Sequence, residues 1–191
     1  MSRNAALISI RNANRSSPCN IGNVELATGY MSSSPTPHDL LRHTLATLAY
    51  RGAKAVRGAP ETFADFRASA TSRTPAEILA HIGDLLDWGL SIAQRKQTWR
   101  DSAPLAWDKA VERFFASLHA LDDYLASANP VQVPAKTLFQ GPIADALTHV
   151  GQLSLLRRMA GAPVRGESYF LAEIVTGCVG PDQAPPRREF D

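Results

Sequence analysis

Long hydrophobic runs are missing from this chain. Spanning a bilayer takes roughly 20 consecutive apolar residues, and no stretch approaches that length. An excess of one charge is missing too: 20 Lys and Arg stand against 18 Asp and Glu, for a net charge of +2. The basic residues are scattered, with no Lys/Arg run and no basic–aromatic interleaving, so no nucleic-acid partner is expected. Cysteine is scarce. Cys19 and Cys178 sit in no C-x-x-C pair, so a disulfide scaffold is not expected and a reducing cytoplasm is the default location. The apolar run from Ala5 to Ile10 is too short and too interrupted for the core of a secretory signal. Neither a membrane nor a nucleic acid is therefore an expected partner.

What is present suits one folded domain with extensions. The chain has 191 residues, 45% of them hydrophobic and 20% charged, enough to enclose a core. Residues 1–33 carry Asn, Ser and Gly without a period and read as a flexible tail, with Met31 a candidate second start. Residues 34–165 hold the helical signals. Residues 166–191 read as a short helix around Tyr169 to Val175 and a proline-rich tail packing on the rest.

Four amphipathic helices follow from spacing and caps. The first starts at Pro37 after Thr36, with Leu40, Leu41, Thr44, Leu45 and Leu48 as its buried stripe, and fades between Gly52 and Gly58. Phe63 and Phe66 anchor the connection. The second opens on Thr74-Pro75-Ala76-Glu77, an N-cap, a first-turn proline and a capping-box glutamate. Trp107, Val111, Phe114, Leu118, Leu121 and Leu125 alternate spacings of four and three and form the seam of the third. The fourth runs from about Gly141 to Met159, with Pro142 in its first turn, Arg157 and Arg158 at its negative end and Gly161 as the stop. No stretch reads as a convincing strand. The expected class is all-α, most simply a four-helix bundle. The long connections after the first and third helices argue against simple up-down-up-down order.

Candidate chemistry sits on the second and fourth helices. Asp145 and His149 are four apart and share a helix face. His81 lies at the edge of the apolar face of the second helix. Each has an ordinary reading: a lone His on such a face is more often a hydrogen-bonded core residue, and Asp145 suits the first turn through the helix dipole. Together, two imidazoles and a carboxylate on facing helices make a plausible metal set, suited to Zn(II), Ni(II) or non-haem Fe(II) with open positions. Trp88 and Gln152, seven and three residues beyond His81 and His149, are candidate cavity or supporting residues, with core packing the plainer role for Trp88. His38, His43 and His119 read as surface residues. Ser154 has no nucleophile-elbow context. No residue is identified as catalytic from spacing alone.

Two segments carry a family resemblance. Leu79-Ala80-His81-Ile82, and His149-Val150-Gly151-Gln152-Leu153 followed by Leu155-Leu156-Arg157-Arg158 and Gly161, resemble the DinB/YfiT-like superfamily over roughly residues 36–163. The resemblance implies an up-down-down-up four-helix bundle, often a homodimer. It also implies a divalent metal held by three ligands, usually histidines, from the second and fourth helices. Carried over, His81 and His149 are ligands, and Asp145 stands where the family commonly has another histidine. Characterised members include thiol-dependent transferases and isomerases that use low-molecular-weight thiols such as bacillithiol or mycothiol, and many have no known activity. The expected function is therefore a metal-dependent thiol transferase or hydrolase acting on a small molecule. The alternative is a non-catalytic helical bundle that binds a ligand or dimerises.

Overall fold

The same device starts the first two helices. In a computed structural model, which describes residues 36–129 and 131–190, the hydroxyl oxygens of Thr36 and Thr74 accept the backbone N–H groups of Asp39 and Glu77, both at 3.2 Å. The carboxylates of Asp39 and Glu77 accept the N–H groups of the two threonines in return, at 2.8 and 2.7 Å. Orphan donors at the helix start are thereby paired. These boxes open α1 (Pro37–Val56) and α2 (Pro75–Ala93). α3 spans Trp107–Ala126. The expected tail over residues 1–33, Met31 and Cys19 lie outside the described residues.

The chain is mostly helical, as the apolar spacing predicts, with one short two-stranded ribbon among the described residues. The fourth helical segment starts earlier than expected. α4 (Ala135–Leu138) runs through a wide π-helical turn (Phe139–Ile143) into α5 (Ala144–Met159). Pro142 is inside this segment, not in a first turn. It has no N–H for the regular helical ladder, and a widened turn absorbs the defect. Its ring is buried against α2 at Gly89, where an added Cβ would come within 3.2 Å of Pro142 Cγ. This contact sets α5 beside α2.

The main helix contacts are α1 with α3 and α5, and α2 with α3 and α5. α1 and α2, consecutive in sequence, therefore lie across the core from each other. Leu45, Leu48, Leu79, Ile82, Phe114 and Leu153 are fully buried there. Phe63 is buried as expected, edge-on to Trp107 at 5.4 Å between ring centroids. Leu40, assigned to the buried stripe, is instead exposed, because the core contact of α1 begins one residue later, at Leu41. α1 ends at Val56, between Gly52 and Gly58 as expected. Gly52 is buried in the helix, and a Cβ there would stand 2.5 Å from Phe114 Cζ. Gly52→Ala is expected to cost about 1–3 kcal/mol through overpacking against a ring with no room to retreat. A urea midpoint shift measures it, and an unchanged midpoint would mean that α3 yields.

The C-terminal segment departs further from expectation. The helix expected from Tyr169 to Val175 is a single 3-10 turn, Tyr169–Leu171. Just beyond the proline-rich tail, β2 (Glu189–Phe190) pairs antiparallel with β1 (Gly166–Glu167). Side chains on α1 hold the ribbon. Lys54 Nζ lies 2.7 Å from both Glu167 Oε2 and Glu189 Oε1, and the Tyr50 hydroxyl donates to Glu167 Oε1 at 2.6 Å. These partners lie more than a hundred residues apart, so no local pattern announces the pairing. Cys178 is buried, its Sγ 3.8 Å from the Asp182 carbonyl oxygen. No helix among the described residues is long and apolar enough to cross a membrane.

Candidate metal centre

Three side chains meet where α2 and α5 pack. The apolar stripe of each helix faces the core, and His81, Asp145 and His149 lie at the shared edge. His81 Nε2 is 3.9 Å from Asp145 Oδ2, and His149 Nε2 is 3.4 Å from Asp145 Oδ1. The imidazole rings stand edge-on at 4.7 Å between centroids. One ligand atom from each residue falls within 4.8 Å of the other two, so the group could hold a metal ion. Neighbouring ligand atoms about a tetrahedral ion with bonds of about 2.1 Å stand about 3.4 Å apart. The His149–Asp145 spacing matches, and the His81–Asp145 spacing is 0.5 Å wider, at 3.9 Å against 3.4 Å. The side chains of His81 and His149 are 20% and 12% exposed and that of Asp145 is 49% exposed, so the centre opens to solvent on the carboxylate side.

Hydrogen bonding fixes the ring nitrogens. His149 Nδ1 lies 2.9 Å from Gln152 Oε1, an acceptor, so Nδ1 carries the proton. Nε2 is the nitrogen that faces Asp145 Oδ1, at 3.4 Å, a spacing open to a shared proton or a cation. Burial, then His149 and Arg73, hold the pKa of His81 below the ordinary imidazole value against the opposing pull of Asp145 and Asp84. The neutral ring that results is the form that binds metal.

Gln152 therefore touches His149, although it is exposed and not on a buried side. Trp88 is one ring removed: it packs edge-on against Trp99 at 5.7 Å, and Trp99 packs edge-on against His81 at 5.8 Å. Trp99 is the residue sequence reasoning missed. It follows a turn in which Arg95 and Gln97 both take left-handed backbone angles, φ 62° and 48°. Such turns usually announce themselves by glycine, and here there is none. Ser91 Oγ, which accepts the Thr98 N–H at 3.0 Å, ties the turn back to α2. The other histidines stay away from the centre: His38 and His119 are exposed, and His43 meets Thr176. The Ser154 hydroxyl donates to Val150 O on its own helix.

A second cluster braces the wall beside His81. Asp84, 2% exposed, accepts the Ser102 N–H at 2.8 Å, the Ser102 hydroxyl at 2.6 Å and Arg113 Nη2 at 2.6 Å. Arg113 Nη2 also reaches Asp87 Oδ2 at 2.9 Å, and Ser117 donates to Asp87 Oδ1 at 2.7 Å. The cluster fastens α2 to α3 and to the loop that carries Trp99. Burial alone would raise the pKa of Asp84, but Ser102 and Arg113 outweigh it and hold the carboxyl below its ordinary value. A depressed carboxylate pKa stabilises the fold above the unfolded value, about 3.9, and loses that contribution as pH falls through the folded value. Acid titration followed by circular dichroism should therefore unfold the wild type over that window, with a shallower dependence in Asp84→Asn. Identical acid slopes would remove Asp84 from the account.

A cavity of about 370 Å³ opens on this wall, with His81 on one side and Arg73, Asp84 and Asp101 among its lining residues. No family model, no curated protein and no solved structure matches the chain.

Proposed function

We propose that this chain is a divalent-metal protein of the DinB/YfiT-like kind, an up-down-down-up four-helix bundle with His81, Asp145 and His149 as its metal ligands. The observation that carries the reading is the convergence of these three ligand atoms, from two helices, within 4.8 Å. The donor set suits Zn(II), Ni(II) or Fe(II), and the Gln152 bond to His149 is the kind of outer contact that fixes a ligating imidazole. Such an ion lowers the pKa of a bound water or thiol and so supplies a nucleophile at neutral pH. The reaction class is thiol transfer or hydrolysis on a small molecule, in a homodimer. The chain's own part is to hold His81 neutral, orient His149 through Gln152 and wall off one side with Trp99.

A non-catalytic ligand-binding or dimerising bundle is the second reading, favoured by the half-exposed Asp145, which can serve as a plain ion-pair partner to both imidazoles. A cytoplasmic location is part of the proposal. Metal analysis of protein purified without chelator or His-tag decides between the readings. Stoichiometric metal supports the first. Protein that takes up no Zn(II), Ni(II) or Fe(II) on incubation leaves the second.

A further inference from the structure

The cavity beside His81 has an uneven charge ledger. Arg67 is paired with Glu77 at 2.9 Å and donates to the Ser72 carbonyl at 2.6 Å. Asp84 is satisfied by Ser102 and Arg113. Two charged residues in the lining are left over, Arg73 and Asp101. Both are exposed, and neither has a hydrogen-bond or ion-pair partner among the described residues. They are opposite in sign and border a space of the size class that holds small ligands.

We propose that this cavity binds a small zwitterion, an α-amino carboxylate, with its carboxylate on Arg73, its ammonium on Asp101 and its side chain directed at the His81 edge of the metal centre. The third contact rests on the metal reading above; the two charged contacts do not. Arg73 offers a planar fork of donors that matches a carboxylate. An anion without an ammonium would leave Asp101 unanswered and repelled. A cation without a carboxylate would do the same to Arg73. A ligand carrying both charges answers both residues at once.

Calorimetry with three matched probes tests this on the full-length protein, both metal-loaded and metal-free. The probes are L-methionine, N-acetyl-L-methionine, which lacks the ammonium, and the decarboxylated amine of methionine, which lacks the carboxylate. L-methionine should bind about tenfold or more tightly than either analogue, the worth of one charge-assisted contact. Arg73→Ala should erase its advantage over the amine and leave that over the N-acetyl compound. Asp101→Asn should do the reverse. Equal binding of the three probes, or variants that leave the preferences unchanged, would overturn the proposal. The two readings fail separately. Discrimination that persists in a protein unable to take up metal sinks the metal centre alone. Full metal content without discrimination sinks the zwitterion site alone.

Discussion

Replacing His149 with alanine is expected to abolish stoichiometric metal binding while leaving the helices intact. His149 supplies the nitrogen closest to Asp145, at 3.4 Å, and its Nδ1 donates to Gln152 Oε1. Removing it leaves one imidazole and a half-exposed carboxylate, too few donors to compete with water. His81→Ala should do the same from the α2 side. Gln152→Leu keeps all three ligands but frees the His149 ring to turn, and an about 10–100-fold loss of metal affinity is expected. Asp145 discriminates further. Asp145→Asn removes the negative charge and should weaken binding strongly. Asp145→His puts back the residue the resemblance implies and should favour Zn(II) and Ni(II) through the softer nitrogen donor. The measurement is elemental analysis beside competition with a chromophoric chelator, with circular dichroism as the fold control. A metal-free wild type with a metal-binding Asp145→His would mean that the carboxylate has disabled the centre. Unchanged metal in both histidine variants would place the ion elsewhere.

Arg157→Met should be among the most destabilising single changes in the chain. Arg157 is only 5% exposed. Its guanidinium donates to four carbonyls: Ala162 at 2.8 Å, Ala55 at 3.1 Å, Arg57 at 3.0 Å and Gly58 at 3.3 Å. Three of these lie in the last turn of α1 and the two residues after it, where carbonyls lack helical partners and the helix dipole is negative. The guanidinium also lies 5.7 Å from the Phe63 ring centroid. Burial pulls its pKa down from the usual arginine value, but the group stays charged, and the carbonyl cluster is its counter-charge. Methionine fills similar space and pairs with none of the carbonyls, so a loss of about 3–5 kcal/mol is expected, as for a broken buried ion contact. Arg157→Lys restores charge without the fork and should recover only part. Urea unfolding measures both, read as a midpoint shift at constant slope. A loss below about 1 kcal/mol would mean that water replaces the guanidinium at the α1 end.

Arg157 also shows where reading the sequence stops. Its place near the end of the fourth helix suggested a residue that answers its own helix dipole. In the fold it answers the end of α1, a hundred residues earlier. The capping boxes at Thr36 and Thr74, by contrast, were legible because both partners lie within one turn. So were the core stripes, because burial imposes the helical period on the residues themselves. The pairing of Asp145 with His149 was legible for the same reason, four residues being one turn.

The chain's order of residues thus determined its helical class, the starts of its first three helices and which side chains could ligate a metal. Tertiary packing alone decided that His81 reaches Asp145, that Pro142 seats in the notch at Gly89, that Trp99 stands against His81 and that Glu167 and Glu189 converge on Lys54. The division is physical. Caps and amphipathic faces are set by neighbours within about one helical turn, whose spacing the covalent chain fixes. Contacts between distant segments depend on how buried faces interlock, and the one-dimensional pattern does not contain that geometry.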